Sequence, residues 1–157
     1  MHRRLAEEGE KYDVTIACEA LRPQESLIGY NVYDAKRLFD MVDHPRFKVM
    51  IDPTAMRVCG ENIQQWFDVF GRENIVHAHV PDANPYGHLI WGTGNNNLGE
   101  FIKTFYDNGY EGYFSQELTD ASYFLDPFKY DRHNIYTLNQ YFAEEGSGER
   151  VFTPMPM

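Results

Sequence analysis

Four short apolar runs constrain this chain more than any other feature: VTIACE at residues 14–19, FKVMID at 47–52, NIVHAH at 74–79 and GYFSQE at 112–117. Each is too short for a helix, carries β-branched or aromatic residues, and predicts a buried strand. Between the runs the apolar residues change to helical spacing, as in Ala35, Leu38, Phe39 and Val42, or Ile63, Trp66, Phe67 and Phe70. That spacing predicts helices over residues 33–42, 61–70, 98–106 and 132–143, and residues 1–10 read as the end of another. Asp43-His44-Pro45, Gly71 and Asn108-Gly109 supply the stops. Residues 81–97, PDANPYGHLIWGTGNNN, read as a long polar loop. Strand and helix in regular alternation imply an α/β fold, a parallel sheet with right-handed crossovers. One domain over residues 1–145, followed by a mobile tail at 146–157, is the expected organisation.

Alternation within each run then assigns faces. Thr15, Ala17 and Glu19 share one side, as do Met50 and Asp52, His77 and His79, and Ser115 and Glu117. Ile16, Val49, Ile51, Val76, Val80 and Phe114 fall on the other, where the helices would cover them, and Cys18 joins them as a buried structural thiol. Polar groups therefore gather at the carboxyl ends of all the strands, where α/β folds build their sites. Glu19, Asp52, His79 and Glu117 give hard oxygen donors and one nitrogen, a set suited to one divalent metal ion. Mn²⁺ is the first expectation, with Mg²⁺, Co²⁺ and Zn²⁺ as alternatives. His77, one layer deeper, reads as a core or supporting group, and Asp82 as either a ligand-orienting residue or the start of a loop. Trp66, Phe67, Phe101 and Phe105 read as core, and Lys48 as a residue of stability rather than of the rim.

Composition narrows the partners. A formal net charge of −10 without a cluster of Lys and Arg excludes a nucleic-acid backbone as the natural ligand. The two cysteines, Cys18 and Cys59, make neither a disulfide framework nor a CxxC site, and no signal-like or membrane-spanning run appears. A reducing, cytoplasmic setting with no membrane partner follows as the expectation.

The motifs ACEAL, MIDPT, HAHVPD and GYEGYFSQEL, in that order with helices between, resemble the C-terminal half of the xylose isomerase-like barrel superfamily, in its sugar phosphate isomerase/epimerase group. The likeness runs over roughly residues 14–142. It implies four parallel βα units equivalent to the C-terminal half of a (β/α)8 TIM barrel, with Glu19, Asp52, His79 and Glu117 binding one divalent metal. The glycine turn Gly92-Thr93-Gly94 also fits that pattern, although its GTGNNN run is only a weak phosphate-cradling signal. Two positions depart from it: Ala55 stands where the family carries a histidine, and Pro85 where it carries an arginine. His88 and Asn84 are expected to replace them in substrate binding, with Trp91 and Tyr86 walling a sugar pocket.

The resemblance implies an enzyme that isomerises or epimerises a ketose or related polyol or keto sugar through an enediolate, with Glu19 and Glu117 as the proton-transfer pair. The same enediolate can instead lose a β-hydroxyl, so a sugar dehydratase is the alternative, and a non-catalytic metal-binding half-barrel a third reading. The repair-endonuclease branch, which needs several zinc ions and a basic groove, fits poorly. At 157 residues the chain is too short for a whole barrel, which takes roughly 250. Open strand edges would favour association, so a homo-oligomer is expected, most simply a C2 dimer of half-barrels.

Overall fold

A computed structural model describes residues 1–144; the tail expected at 146–157 lies outside the described residues. The elements, in chain order, are α1 (His2–Glu10), β1 (Ile16–Cys18), α2 (Val32–Val42), β2 (Phe47–Ile51), α3 (Pro53–Val58), α4 (Ile63–Phe70), β3 (Ile75–His79), β4 (Asp82–Asn84), β5 (Gly87–Leu89), α5 (Leu98–Asp107), β6 (Tyr113–Ser115) and α6 (Pro127–Glu144). All four expected strands form, and they lie in the spatial order β1-β2-β3-β6 with every neighbouring pair parallel. No helix among the described residues is long and apolar enough to cross a membrane.

Short polar side chains start the helices. Asn31, Asn62 and Asn97 accept hydrogen bonds from the backbone N–H groups of Asp34, Gln65 and Glu100, and Gln65 returns a bond to complete a capping box. Asp43 ends α2 in the left-handed region at φ 42°, and Gly71 ends α4 at φ 71°. On one sheet face Val49, Ile51, Ala78 and Val80 meet Trp66, Phe70, Phe101 and Phe105 from α4 and α5. Trp66 is 1% exposed, and truncation of such an aromatic to alanine costs about 3–5 kcal/mol. A smaller cluster of Ala6, Val42 and Phe47 seats α1, with Ile16 and Cys18 packed against it, so Cys18 lies among apolar neighbours but is half-buried rather than buried.

The structure departs from the sequence expectations in four places. Val76 does not join the helix-side core; Ile75 does, at 2% exposure. The β2–β3 register shifts there, Val49 facing Ile75 while Met50 faces His77, so Val76 is the extra residue of a bulge. The bulge restores the alternation that turns His77 and His79 away from the helices. A short helix, α3, follows β2 directly, because Asp52 caps it and Pro53 occupies its first turn. The loop at 81–97 contains an antiparallel hairpin, β4–β5. Finally, α6 begins at Pro127 rather than near Arg132.

Among the described residues the edges of the main sheet are open. Among those residues β1 pairs only with β2, and β6 only with β3, where Tyr113 is 80% exposed. The architecture is thus half of a closed barrel, with helices on one face of a four-stranded parallel sheet.

Candidate metal centre

Each strand delivers its polar residue at the carboxyl end. Glu19 follows β1, Asp52 follows β2, His79 is the last residue of β3, and Glu117 stands two residues past β6. These side chains converge on one imidazole: His79 Nδ1 lies 3.1 Å from Glu19 Oε1, 3.4 Å from Asp52 Oδ2 and 3.0 Å from Glu117 Oε2. Asp52 divides its oxygens. Oδ1 accepts from Thr54 and Ala55 backbone N–H groups, at 2.7 and 3.2 Å, while Oδ2 faces the cluster. The cap that starts α3 therefore also fixes the orientation of a candidate ligand.

A fifth group completes the cluster. His88, in the middle of β5, places Nε2 2.7 Å from Asp52 Oδ2 and 3.0 Å from Glu117 Oε2. Its Nδ1 lies 3.2 Å from Thr119 Oγ1, which also accepts from the His88 backbone N–H. This arrangement suits a ring that donates from Nδ1 and offers Nε2 to a metal. His88 was expected at the substrate and stands among the candidate ligands instead. Its strand is three residues long with no β-branched residue, so the periodicity that revealed the other strand ends gave no signal; the Asn84-Pro85 turn dipeptide and Gly87 were the available clue.

Ligand atoms of Asp52, His79, His88 and Glu117 all lie within 4.8 Å of one another. Bonds of about 2.0–2.3 Å to a shared ion put opposing ligands about 4–4.6 Å apart, so the cluster is nearly the right size. Glu117 Oε2 supports the fit: it is buried, and although close to both imidazoles it has no hydrogen-bond partner. Glu19 sits slightly outside this group and touches it through His79.

The charges respond to one another strongly. Burial opposes charging of His79, but contact with Asp52, Glu117 and Glu19 overrides it and raises its pKa to about 11. His88 behaves alike, with burial overridden by Asp52 and Glu117, and rises to about 9. The close charges of the His79 and then the His88 imidazole lower Glu117 to about 2. Burial works against the Asp52 carboxylate, yet the two imidazoles hold its pKa well below the usual range. Glu19 moves the opposite way: burial, reinforced by Asp52, raises it despite His79. Without a metal, two imidazolium ions thus supply the positive charge that the carboxylates need.

Two other expected site residues are placed elsewhere. Trp91 is a core residue, 4% exposed, donating from Nε1 to the Val80 carbonyl at 2.9 Å and packing on Phe101. Asn84 spends its side-chain oxygen on the hairpin turn, accepting from Tyr86 and Gly87 backbone N–H groups. Tyr86, at the hairpin tip, stands 89% exposed. Asp82 opens β4 rather than a loop and, enclosed, accepts from the backbone N–H groups of Ala83, Gly92, Gly94 and Asn96. Those bonds use the N–H groups of Gly92 and Gly94 that a phosphate would need. His77 lies a layer below the cluster, 2.7 Å from Ser115 Oγ, and Lys48 reaches Asn74 at 2.6 Å, away from the rim.

The sequence matches the xylose isomerase-like TIM barrel family over residues 2–140. Over 143 residues it is 30% identical to the fructoselysine 3-epimerases of Escherichia coli O157:H7 and of Shigella flexneri, covering 90% of this chain and 51% of each relative. The chain therefore spans about half the length of these curated relatives. Among solved structures, an L-ribulose 3-epimerase superposes with a TM-score of 0.74 at 15% identity, over 95% of this chain and 56% of the other. The 3-keto-D-glucoside 4-epimerase of E. coli gives 0.73 at 18%, over 88% and 50%. The D-psicose 3-epimerase of Clostridium cellulolyticum H10 gives 0.64 at 22%, over 74% and 39%. At these identities the superpositions speak for the fold alone.

Proposed function

The chain belongs to the xylose isomerase-like TIM barrel family, and from that premise we propose that it is the site-bearing half of a divalent-metal-dependent sugar epimerase or isomerase acting on a ketose or related keto sugar. The observation that carries this reading is the convergence of three strand-end carboxylates within 3.4 Å of His79 Nδ1. The 30% identity to fructoselysine 3-epimerases supports epimerisation next to a carbonyl as the reaction class. Asp52, His79, His88 and Glu117 would hold the ion, Mn²⁺ in the first instance, with Glu19 beside them. When bound, the ion polarises the sugar carbonyl and stabilises the enediolate's negative charge.

Proton movement falls to the outer carboxylates. Glu19 and Glu117 come from β1 and β6, the two edge strands of the sheet, so a sugar seated on the rim lies between them. One carboxylate takes the proton from the carbon next to the carbonyl, giving an enediolate; the other returns a proton to the opposite face, inverting that centre with no net redox change. The two unpaired cysteines suit a cytoplasmic setting for this chemistry.

The test is a ketose panel with and without Mn²⁺ in D₂O, for the wild type beside Glu19→Gln and Glu117→Gln. Expected is metal-dependent deuterium incorporation at the epimerised carbon, with each variant slowed at least about 100-fold, the scale of one acid/base group. Equal turnover by wild type and variants removes the acid/base assignment, and a dehydrated product in place of an epimer makes the chain a lyase.

A further inference from the structure

We propose that Arg22 is a positioning residue of this centre, whose guanidinium clasps the hairpin carrying His88 to the loop that follows Glu19. The inference rests on the metal-centre reading above. Arg22 lies three residues past Glu19, and Tyr86, at the tip of β4–β5, lies two residues before His88. Arg22 Nη1 donates to the Tyr86 carbonyl at 2.9 Å across 64 positions of sequence. Among the described hydrogen bonds this is the one that joins the 20–30 loop to the hairpin. Glu25 holds the guanidinium for that purpose: its carboxylate accepts from Arg22 Nε at 3.0 Å and pairs with Nη2, and it also accepts from the Arg22 backbone N–H at 3.0 Å. Two parallel bonds fix the plane of a guanidinium, which leaves Nη1 aimed at the hairpin.

The Arg22 side chain is not a solvated surface group. It is 16% exposed, against 39% for Glu25, and the charges of Asp52 and Glu117 help hold its guanidinium protonated. The base of the hairpin has its own anchors in Asp82 and the Trp91 indole bond, and Thr119 bonds to the backbone and ring of His88 in the middle of β5. The tip has Arg22. Loss of the clasp frees the tip two residues before His88 and leaves Thr119 as the remaining side-chain anchor of that strand, so His88 Nε2 loosens against Asp52 and Glu117.

Clasp and simple charge predict opposite signs. If Arg22 acted only as a cation near carboxylates, its removal would strengthen cation binding; as a clasp, its removal weakens it. Calorimetric titration of Mn²⁺ is therefore run on the wild type, Arg22→Ala, Arg22→Lys and the remote control Arg46→Ala. In parallel, NMR of the metal-free proteins follows the His88 imidazole and the Trp66 indole. Expected are a 10–100-fold weaker Mn²⁺ affinity for Arg22→Ala, the usual effect of losing a ligand-supporting partner, and substantial recovery in Arg22→Lys. The His88 resonances should move in Arg22→Ala while Trp66 and the Arg46→Ala control stay in place. Tighter or unchanged Mn²⁺ binding by Arg22→Ala overturns the clasp, as does a Trp66 shift of the same kind, which would mark a general loosening. Failure of the wild type to bind Mn²⁺ would sink the metal-centre reading instead, and the His88 resonances alone would then decide the clasp.

Discussion

His79 and His88 are where the chemistry of single residues can be measured without a substrate. Both have folded pKa values, about 11 and about 9, above the ordinary imidazole value of 6.5. The sign of the linkage follows: their contribution to the metal-free fold is complete below about pH 6.5 and is lost as pH rises through about 9 and then 11. Glu117, lowered to about 2, contributes above the ordinary carboxylate range and loses that contribution as pH falls toward its folded value. Glu19 is raised, so its ionisation removes stability as pH climbs past 4.5. Urea unfolding of the metal-free protein should therefore be hardest between about pH 5 and 6.5 and easier at pH 9 and above. Metal binding must displace the protons that the imidazoles hold at pH 7. Titration with Mn²⁺ in buffers of different ionisation enthalpy should report release of about two protons per ion, and an affinity that increases toward pH 9. Release of none would mean that neither imidazole is a ligand.

Secondary-structure elements differ in how much they disclose through sequence. β2 and β3 carry enough apolar residues for alternation to place Asp52 and His79, and the helical stripes of α4 and α5 place Trp66 and Phe101 in the core. The bulge at Val76, the six-residue α3 and the three-residue strands β4 and β5 are shorter than the period that would announce them. Their causes are contacts distant in sequence. Asp82 is the clearest: one enclosed carboxylate collects backbone N–H groups from as far as Asn96 and ties the glycine turn to the hairpin. Trp91 was misplaced for the same reason, since only the folded hairpin carries it into the core. A carboxamide at position 82 would set an N–H against these donors. Asp82→Asn should therefore destabilise the protein by about 1.5–3 kcal/mol in urea titration, and should weaken Mn²⁺ binding through His88. Gly94→Ala should act alike, because a Cβ there would overlap the Asp82 carboxylate and the Ala83 carbonyl. Full stability in both variants would show that the hairpin does not depend on this hub.

At the scale of the whole molecule, β1 and β6 each have one unpaired edge among the described residues. Parallel sheets are stable when both faces are covered and their edges are closed, yet here helices cover one face and each edge strand has one neighbour. We propose that a second copy of the chain satisfies both edges at once. A twofold axis running along the strands preserves strand direction, so β6 of one copy meets β1 of the other in parallel register, and the same contact repeats on the far side to close eight strands. An axis across the strands would pair them antiparallel and leave two edges open. Such a closed pair would carry one metal centre per chain, with each half shielding the other's rim from water. The expected light-scattering mass in size exclusion at micromolar concentration is twice the 18.4 kDa of the chain. Hydrogen exchange should then show the backbone amides of Ile16–Cys18 and Tyr113–Ser115 slowing as concentration rises through the dimer transition, while those of β2 and β3 stay equally protected throughout. A monomer with fast-exchanging edge amides at every concentration would show that a second copy does not close the barrel.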